Sequence, residues 1–96
     1  MIKEFTLGAV KWSVEINNEK LDDKESYGIC YYDESKILLQ DETLNHKRST
    51  TSIEQTMYHE VVHSILDTIG EHELSANEKF VQQFSLLLHQ FEVTKK

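Results

Sequence analysis

From Val10 the chain alternates. Val10, Trp12, Val14 and Ile16 are separated by Lys11, Ser13, Glu15 and Asn17. A period of two predicts a strand with one buried and one wet face, and Trp12 as a core anchor. Residues 1–9 show no clear period and read as a lead-in that can pair with a sheet edge. Asn17 to Ser26 is polar and charged and reads as an exposed connection. Tyr27 to Tyr32 is rich in aromatic and β-favouring residues and predicts a second strand. Asp33-Glu34-Ser35 is a turn, and Lys36 to Gln40 gives a third strand around Ile37, Leu38 and Leu39. So short a link makes the second and third strands an antiparallel hairpin. Asp41 to Thr50 is a polar loop with room for a helical turn.

The period then changes to that of a helix. Thr51-x-x-Glu54 and Ser52-x-x-Gln55 are both capping boxes, and either can open a helix that runs to Ile69. Gly70 is the natural residue to end it. Tyr58, Val62, Ile65, Leu66 and Ile69 form its apolar stripe. Ser75-x-x-Glu78 is another capping box and opens a last helix over 76–92, with Phe80, Val81, Phe84, Leu87, Leu88 and Phe91 as its buried face. The expected architecture is α+β and a single domain. It has a small antiparallel sheet of about three strands within 10–40, a helix over 51–69 and a C-terminal helix over 76–92.

Composition narrows the classes of function. A chain of 96 residues with 39% hydrophobic content supports one small core. A formal net charge of −7 argues against nucleic acid and against anionic membrane surfaces as partners. A protein or peptide substrate remains open. The single cysteine, Cys30, excludes an intrachain disulfide and a cysteine-rich zinc module, and reads as a buried, inert thiol. The sequence carries no recognisable leader and no apolar run of membrane-spanning length, so a cytoplasmic location is expected.

The chemistry concentrates at Tyr58-His59-Glu60-Val61-Val62-His63. This is H-E-x-x-H inside a helical pattern. Four residues make just over one turn, so His59 and His63 project from one face and can share a tetrahedral Zn2+. Glu60 lies beside them, where a carboxylate can take a proton from water. The flanking residues Thr56, Met57, Val61, Val62, Ser64 and Ile65 are uncharged. Zinc needs a third protein ligand. The candidates downstream are His72, Glu73, Glu78 and His89. The helix continues about seven residues past His63, roughly 10 Å, and the chain must return by a similar distance. That ranks Glu78 first, ahead of Glu73 and then His72, with His89 overshooting. Glu78 reads equally as the carboxylate of the Ser75 capping box.

The stretches Tyr58 to Leu66, Gly70, and Asn77-Glu78-Lys79-Phe80-Val81, with Tyr27 to Asp33 upstream, resemble small phage and prophage zincin-like proteins related to the ImmA/IrrE metallopeptidases. The likeness spans residues 10 to 92, and only H-E-x-x-H is highly specific. It implies a minimal zincin in which His59 and His63 bind Zn2+, Glu60 is the catalytic base and a glutamate completes the site. Larger relatives carry that glutamate in E-x-x-A-N, which Glu73-Leu74-Ser75-Ala76-Asn77 matches; the small phage type places it at the segment of Glu78. The expected function is a zinc-dependent metallopeptidase acting on a protein, in the host cytoplasm if phage-encoded. An extended substrate is expected to add to the third strand, near Ile37–Gln40, and a tyrosine or His72 to stabilise the oxyanion. The alternative is a zincin-like binding or regulatory protein whose metal is structural or absent, and metal content separates the two.

Overall fold

A computed structural model describes residues 2–24, 26–43 and 46–96. Four strands form one mixed sheet in the order β1-β2-β4-β3: β1 (Glu4–Leu7), β2 (Val10–Ile16), β3 (Gly28–Tyr31) and β4 (Lys36–Leu39). The β3–β4 hairpin is antiparallel, pairing Ile29 with Leu38, as its short link requires. The lead-in supplies β1, which pairs antiparallel to β2 with Phe5 opposite Trp12. The central pair, β2 and β4, is parallel, with Val14 opposite Ile37. This differs from the all-antiparallel sheet expected. A parallel pair needs a crossover, and the Asn17–Ser26 stretch together with β3 provides it.

That stretch is not an exposed loop. It holds the helix α1 (Asn18–Lys24). Asn17 caps it, its Oδ1 accepting from the Lys20 amide at 3.1 Å. Leu21 is fully buried, and α1 lies against β4. Asn18 holds Asp41, donating to its Oδ1 at 2.8 Å and accepting from its amide at 3.0 Å, and Gln40 bonds the Asp22 carboxylate. One apolar residue in a charged run leaves no periodicity to read. Leu21→Ala is expected to destabilise the protein by about 2–4 kcal/mol, seen as a lower urea midpoint at unchanged slope.

Trp12 and Val14 alternate inward from β2 and meet Ile37, Leu39 and Met57 in the core beneath the sheet; Val10 and Ile16, at the strand ends, are exposed. Phe5 stacks on Trp12. A two-residue ladder, β5 (Glu42–Thr43) with β6 (His46–Lys47), lies in the polar stretch before the helices.

Three helices follow: α2 (Thr50–Thr68), α3 (His72–Ser75) and α4 (Glu78–Thr94). The N-cap of α2 is Ser49, whose side chain accepts from the Ser52 amide, two residues before the first of the predicted boxes. At its other end Gly70 has φ +82°; the Gly70 amide donates to Asp67 O at 3.1 Å and the Glu71 amide to Leu66 O at 2.8 Å. A left-handed residue after the cap closes the helix in this way and favours glycine.

Helix α2 is covered on two sides. Met57, Glu60 and Ser64 turn to the sheet, while Val62 and Leu66 meet Val81 of α4. Ile65 and Ile69, read as part of the stripe, are exposed.

The face that α4 buries matches the expected one only in part: Phe80, Val81 and Leu88 pack on the Val62–Leu66 cluster. Val81, Ser85 and His89 are buried, while Phe84, Leu87 and Phe91 are at least half exposed. Polar contacts share in setting the rotation of this helix. Glu78 and Gln82 reach the histidines of α2, and positions 81, 85 and 89 share roughly that side of a 3.6-residue helix. Positions 84, 87 and 91 then fall on the far side.

Candidate metal centre

The i, i+4 spacing puts the rings of His59 and His63 together on α2, their centroids 4.9 Å apart. Each ring is fixed through Nδ1. His59 Nδ1 lies 2.9 Å from Gln82 Oε1, and His63 Nδ1 lies 3.0 Å from Ser75 Oγ. An amide oxygen only accepts, so this contact places a proton on His59 Nδ1 and makes Nε2 the atom that can ligate. Both Nε2 atoms point at one carboxylate. His59 Nε2 is 3.2 Å from Glu78 Oε2, and His63 Nε2 is 3.2 Å from Glu78 Oε1. The imidazoles are mostly buried and Glu78 is exposed, so the cluster is rooted in the protein and open on one side.

Ligand atoms around a tetrahedral zinc with bonds near 2.0–2.1 Å are spaced about 3.3 Å apart. The His–Glu separations have that spacing, and one ligand atom from each of the three residues lies within 4.8 Å of the others. Two histidines and a carboxylate are a donor set of catalytic zinc sites. The residues therefore fit a metal ion.

The structure brings His59, His63 and Glu78 together and leaves the other candidates apart. Glu73 is exposed on α3 and outside the cluster. His72 pairs with Asp67 at 3.0 Å. His89 is buried beside Tyr58, with Nε2 3.5 Å from Glu54 Oε1. Ser75 does not cap α4. It ends α3 and holds His63, and the α4 cap is Asn77, whose side chain accepts from the Phe80 amide. Glu78 thus begins the helix with its carboxylate free to face the histidines.

Glu60 is 7% exposed and borders a cavity of about 370 Å³ with His59, His63, Asp67 and Glu78. Burial, with the Glu78 charge adding to it, pushes its carboxyl up to about 8. Burial also lowers the His63 imidazole, and neighbouring His59 adds to this; Glu78 and Asp67 oppose it. A neutral imidazole is the form that can ligate. Cys30, half-buried at the same cavity, has its thiol pushed up to about 12 by burial, with Glu60 and Asp67 contributing. A protonated thiol is a poor nucleophile and a poor ligand.

The edge strand of the sheet on this side is β3. The strand expected to accept substrate, β4, is interior, flanked by β2 and β3. Gly28 is the point of closest approach between β3 and α2. A Cβ there would sit 2.6 Å from Thr56 Cγ2 and 3.2 Å from both Glu60 Cγ and Glu60 Oε2. Gly28→Ala is expected to cost about 1–3 kcal/mol by overpacking and to displace Glu60. Urea denaturation checks it, and an unchanged midpoint would mean that the strand yields freely.

Sequence reasoning missed the residues that orient the site. Gln82 is one turn beyond Glu78 on the same face, a signal that could have been read once Glu78 was preferred. Ser75 looked like a cap. Gly28 depends on tertiary approach and leaves no local trace. No family model, curated protein or solved structure matches this chain.

Proposed function

We propose that the protein is a zinc-dependent peptidase of the minimal zincin type, acting on a protein or peptide substrate. The observation that carries this reading is the convergence of His59 Nε2, His63 Nε2 and the Glu78 carboxylate at 3.2 Å beside a buried Glu60. The resemblance to small phage and prophage zincin-like proteins agrees with it. A cytoplasmic site of action, in the host if phage-encoded, belongs to the same reading; among the described residues no helix is long and apolar enough to cross a membrane.

His59, His63 and Glu78 would hold the ion. Zinc, when bound, supplies Lewis acidity that activates water and polarises a carbonyl. Glu60 takes the proton of the attacking water and returns it to the departing amine. Gln82 and Ser75 keep the imidazoles aimed.

Strand β3 offers a place for substrate. The Tyr27 carbonyl accepts from the Gln40 amide, so antiparallel alternation turns the backbone groups of Gly28 and Cys30 away from β4. The Gly28 carbonyl accepts from Ser26 Oγ at 2.7 Å. An extended peptide laid along this edge runs past Glu60.

Zinc titration tests the proposal. Chelator-stripped protein is expected to take up one equivalent of zinc, and His63→Ala none at micromolar metal. The zinc-loaded protein is expected to cut an unstructured peptide pool. Absence of zinc uptake by the wild type would overturn the reading and leave a binding module.

A further inference from the structure

A second cavity, of about 340 Å³, runs from His59 and Glu60 to Tyr27 and Arg48. Arg48 lies immediately before the Ser49 cap of α2. Its Nη1 donates to Gln40 O at 2.7 Å, and its Nη2 donates to Ser52 O at 3.2 Å and Thr56 Oγ1 at 2.7 Å. The Tyr27 ring covers one face of the guanidinium, with Cζ 4.4 Å from its centroid. These contacts fix the group rigidly. They use three of the five N–H donors of an arginine, leaving Nε–H and one Nη1–H. Among the described residues no carboxylate lies within 4.0 Å of it. Burial lowers its pKa, as expected of a charge that has lost solvent.

We infer that Arg48 is a specificity determinant, holding a carboxylate of the substrate in the cavity beside Glu60. This rests on the peptidase reading and names the substrate class for it. A fixed, partly desolvated guanidinium with free donors matches a planar carboxylate and has no such match in a neutral side chain. The position sets the register. Arg48 is bonded to Thr56, which precedes Glu60 by four residues, about 6 Å along α2. An extended peptide advances about 3.3 Å per residue. The carboxylate therefore lies about two residues from the scissile bond, as an Asp or Glu side chain or as the free C-terminus of the peptide. The overall charge of −7 works against acidic substrates at long range; a local cation selects among those that arrive.

The test has two arms. Zinc-loaded wild type and Arg48→Gln are given a random pool of unstructured peptides, in free-acid and C-terminally amidated forms, and the cuts are mapped by mass spectrometry. Enrichment of Asp or Glu, or of the free C-terminus, by tenfold or more about two residues from the cut, lost in Arg48→Gln, is the expected result. The two peptide forms separate side chain from C-terminus. In the other arm, metal-free wild type is titrated with N-acetyl-glutamate and with N-acetyl-glutamine amide, which carries no carboxylate, while the Arg48 Nε and Tyr27 ring signals are followed by NMR. Shifts with the acid and none with the amide are expected, and this arm needs neither a variant nor activity. Cutting without acidic preference overturns the inference and leaves the peptidase reading standing. No cutting, with N-acetyl-glutamate bound at Arg48, does the reverse. No cutting and no shift overturns both.

Discussion

Glu60→Gln is expected to leave zinc bound, to lower peptide hydrolysis by about 10²–10⁴-fold, and to make the metal-free protein more stable at and above neutral pH. The last effect follows from burial. The Glu60 carboxyl is raised from an ordinary value of 4.5 to about 8 in the folded chain. A raised folded pKa means that the folded state holds the proton more tightly than the unfolded state. Its contribution is fully present below about 4.5 and is lost as pH climbs through about 8. Glutamine keeps the shape and never ionises, so it escapes that loss. The advantage of the variant should therefore be absent at pH 4, grow across neutrality and level off above pH 8, at an order of 1–3 kcal/mol. Urea denaturation of chelator-treated wild type and variant at three pH values checks the stability. Peptide cleavage by the zinc-loaded forms checks the chemistry. Retained hydrolysis would remove Glu60 from the mechanism, and a pH-independent stability difference would remove the buried charge.

The second large effect is at Glu78. Glu78→Gln is expected to weaken zinc binding by more than 100-fold, since loss of a group that merely orients a ligand already costs 10–100-fold. Fold stability should change by less than about 1 kcal/mol, because the side chain is largely exposed and the helix cap is elsewhere. Asn77→Ala is the matching control. It removes the cap of α4, should cost about 1 kcal/mol, and should leave zinc affinity close to that of the wild type. Calorimetric zinc titration and thermal denaturation of the pair separate ligand from cap. If Asn77→Ala lost zinc as severely as Glu78→Gln, the helix end rather than the carboxylate would be what the site depends on.

The residues that make this site differ in how plainly the sequence displays them. His59, Glu60 and His63 could be read because helical geometry converts a spacing of four into a shared face, and that rule holds without knowing the rest of the fold. Glu78 needed one further step, the return distance from the end of α2, and the structure brings it to the histidines. The hairpin and the core around Trp12 followed from alternation. Leu21 did not, since a single anchor has no period. The parallel pairing of β2 with β4 was hidden for a related reason: strand order is set by which faces must be covered, not by local pattern. The rotation of α4 was the largest misreading. Of the stripe taken as buried, Phe80, Val81 and Leu88 do pack on the core, but the helix also turns Glu78 and Gln82 to the histidines and leaves Phe84, Leu87 and Phe91 outside.

That rotation has a consequence for how firmly the C-terminal helix is held. Against α2 it buries Val81, Ser85 and His89, with Phe80 and Leu88 packed beside the same cluster. Its N-terminal end faces α2 through Glu78 and Gln82, where ligation of a metal would tie the two helices together. Loading the site would then work as a clasp as well as a catalyst's fixture. A chain so built would be held most firmly at its C-terminal helix with a metal bound, and less firmly once the metal is withdrawn.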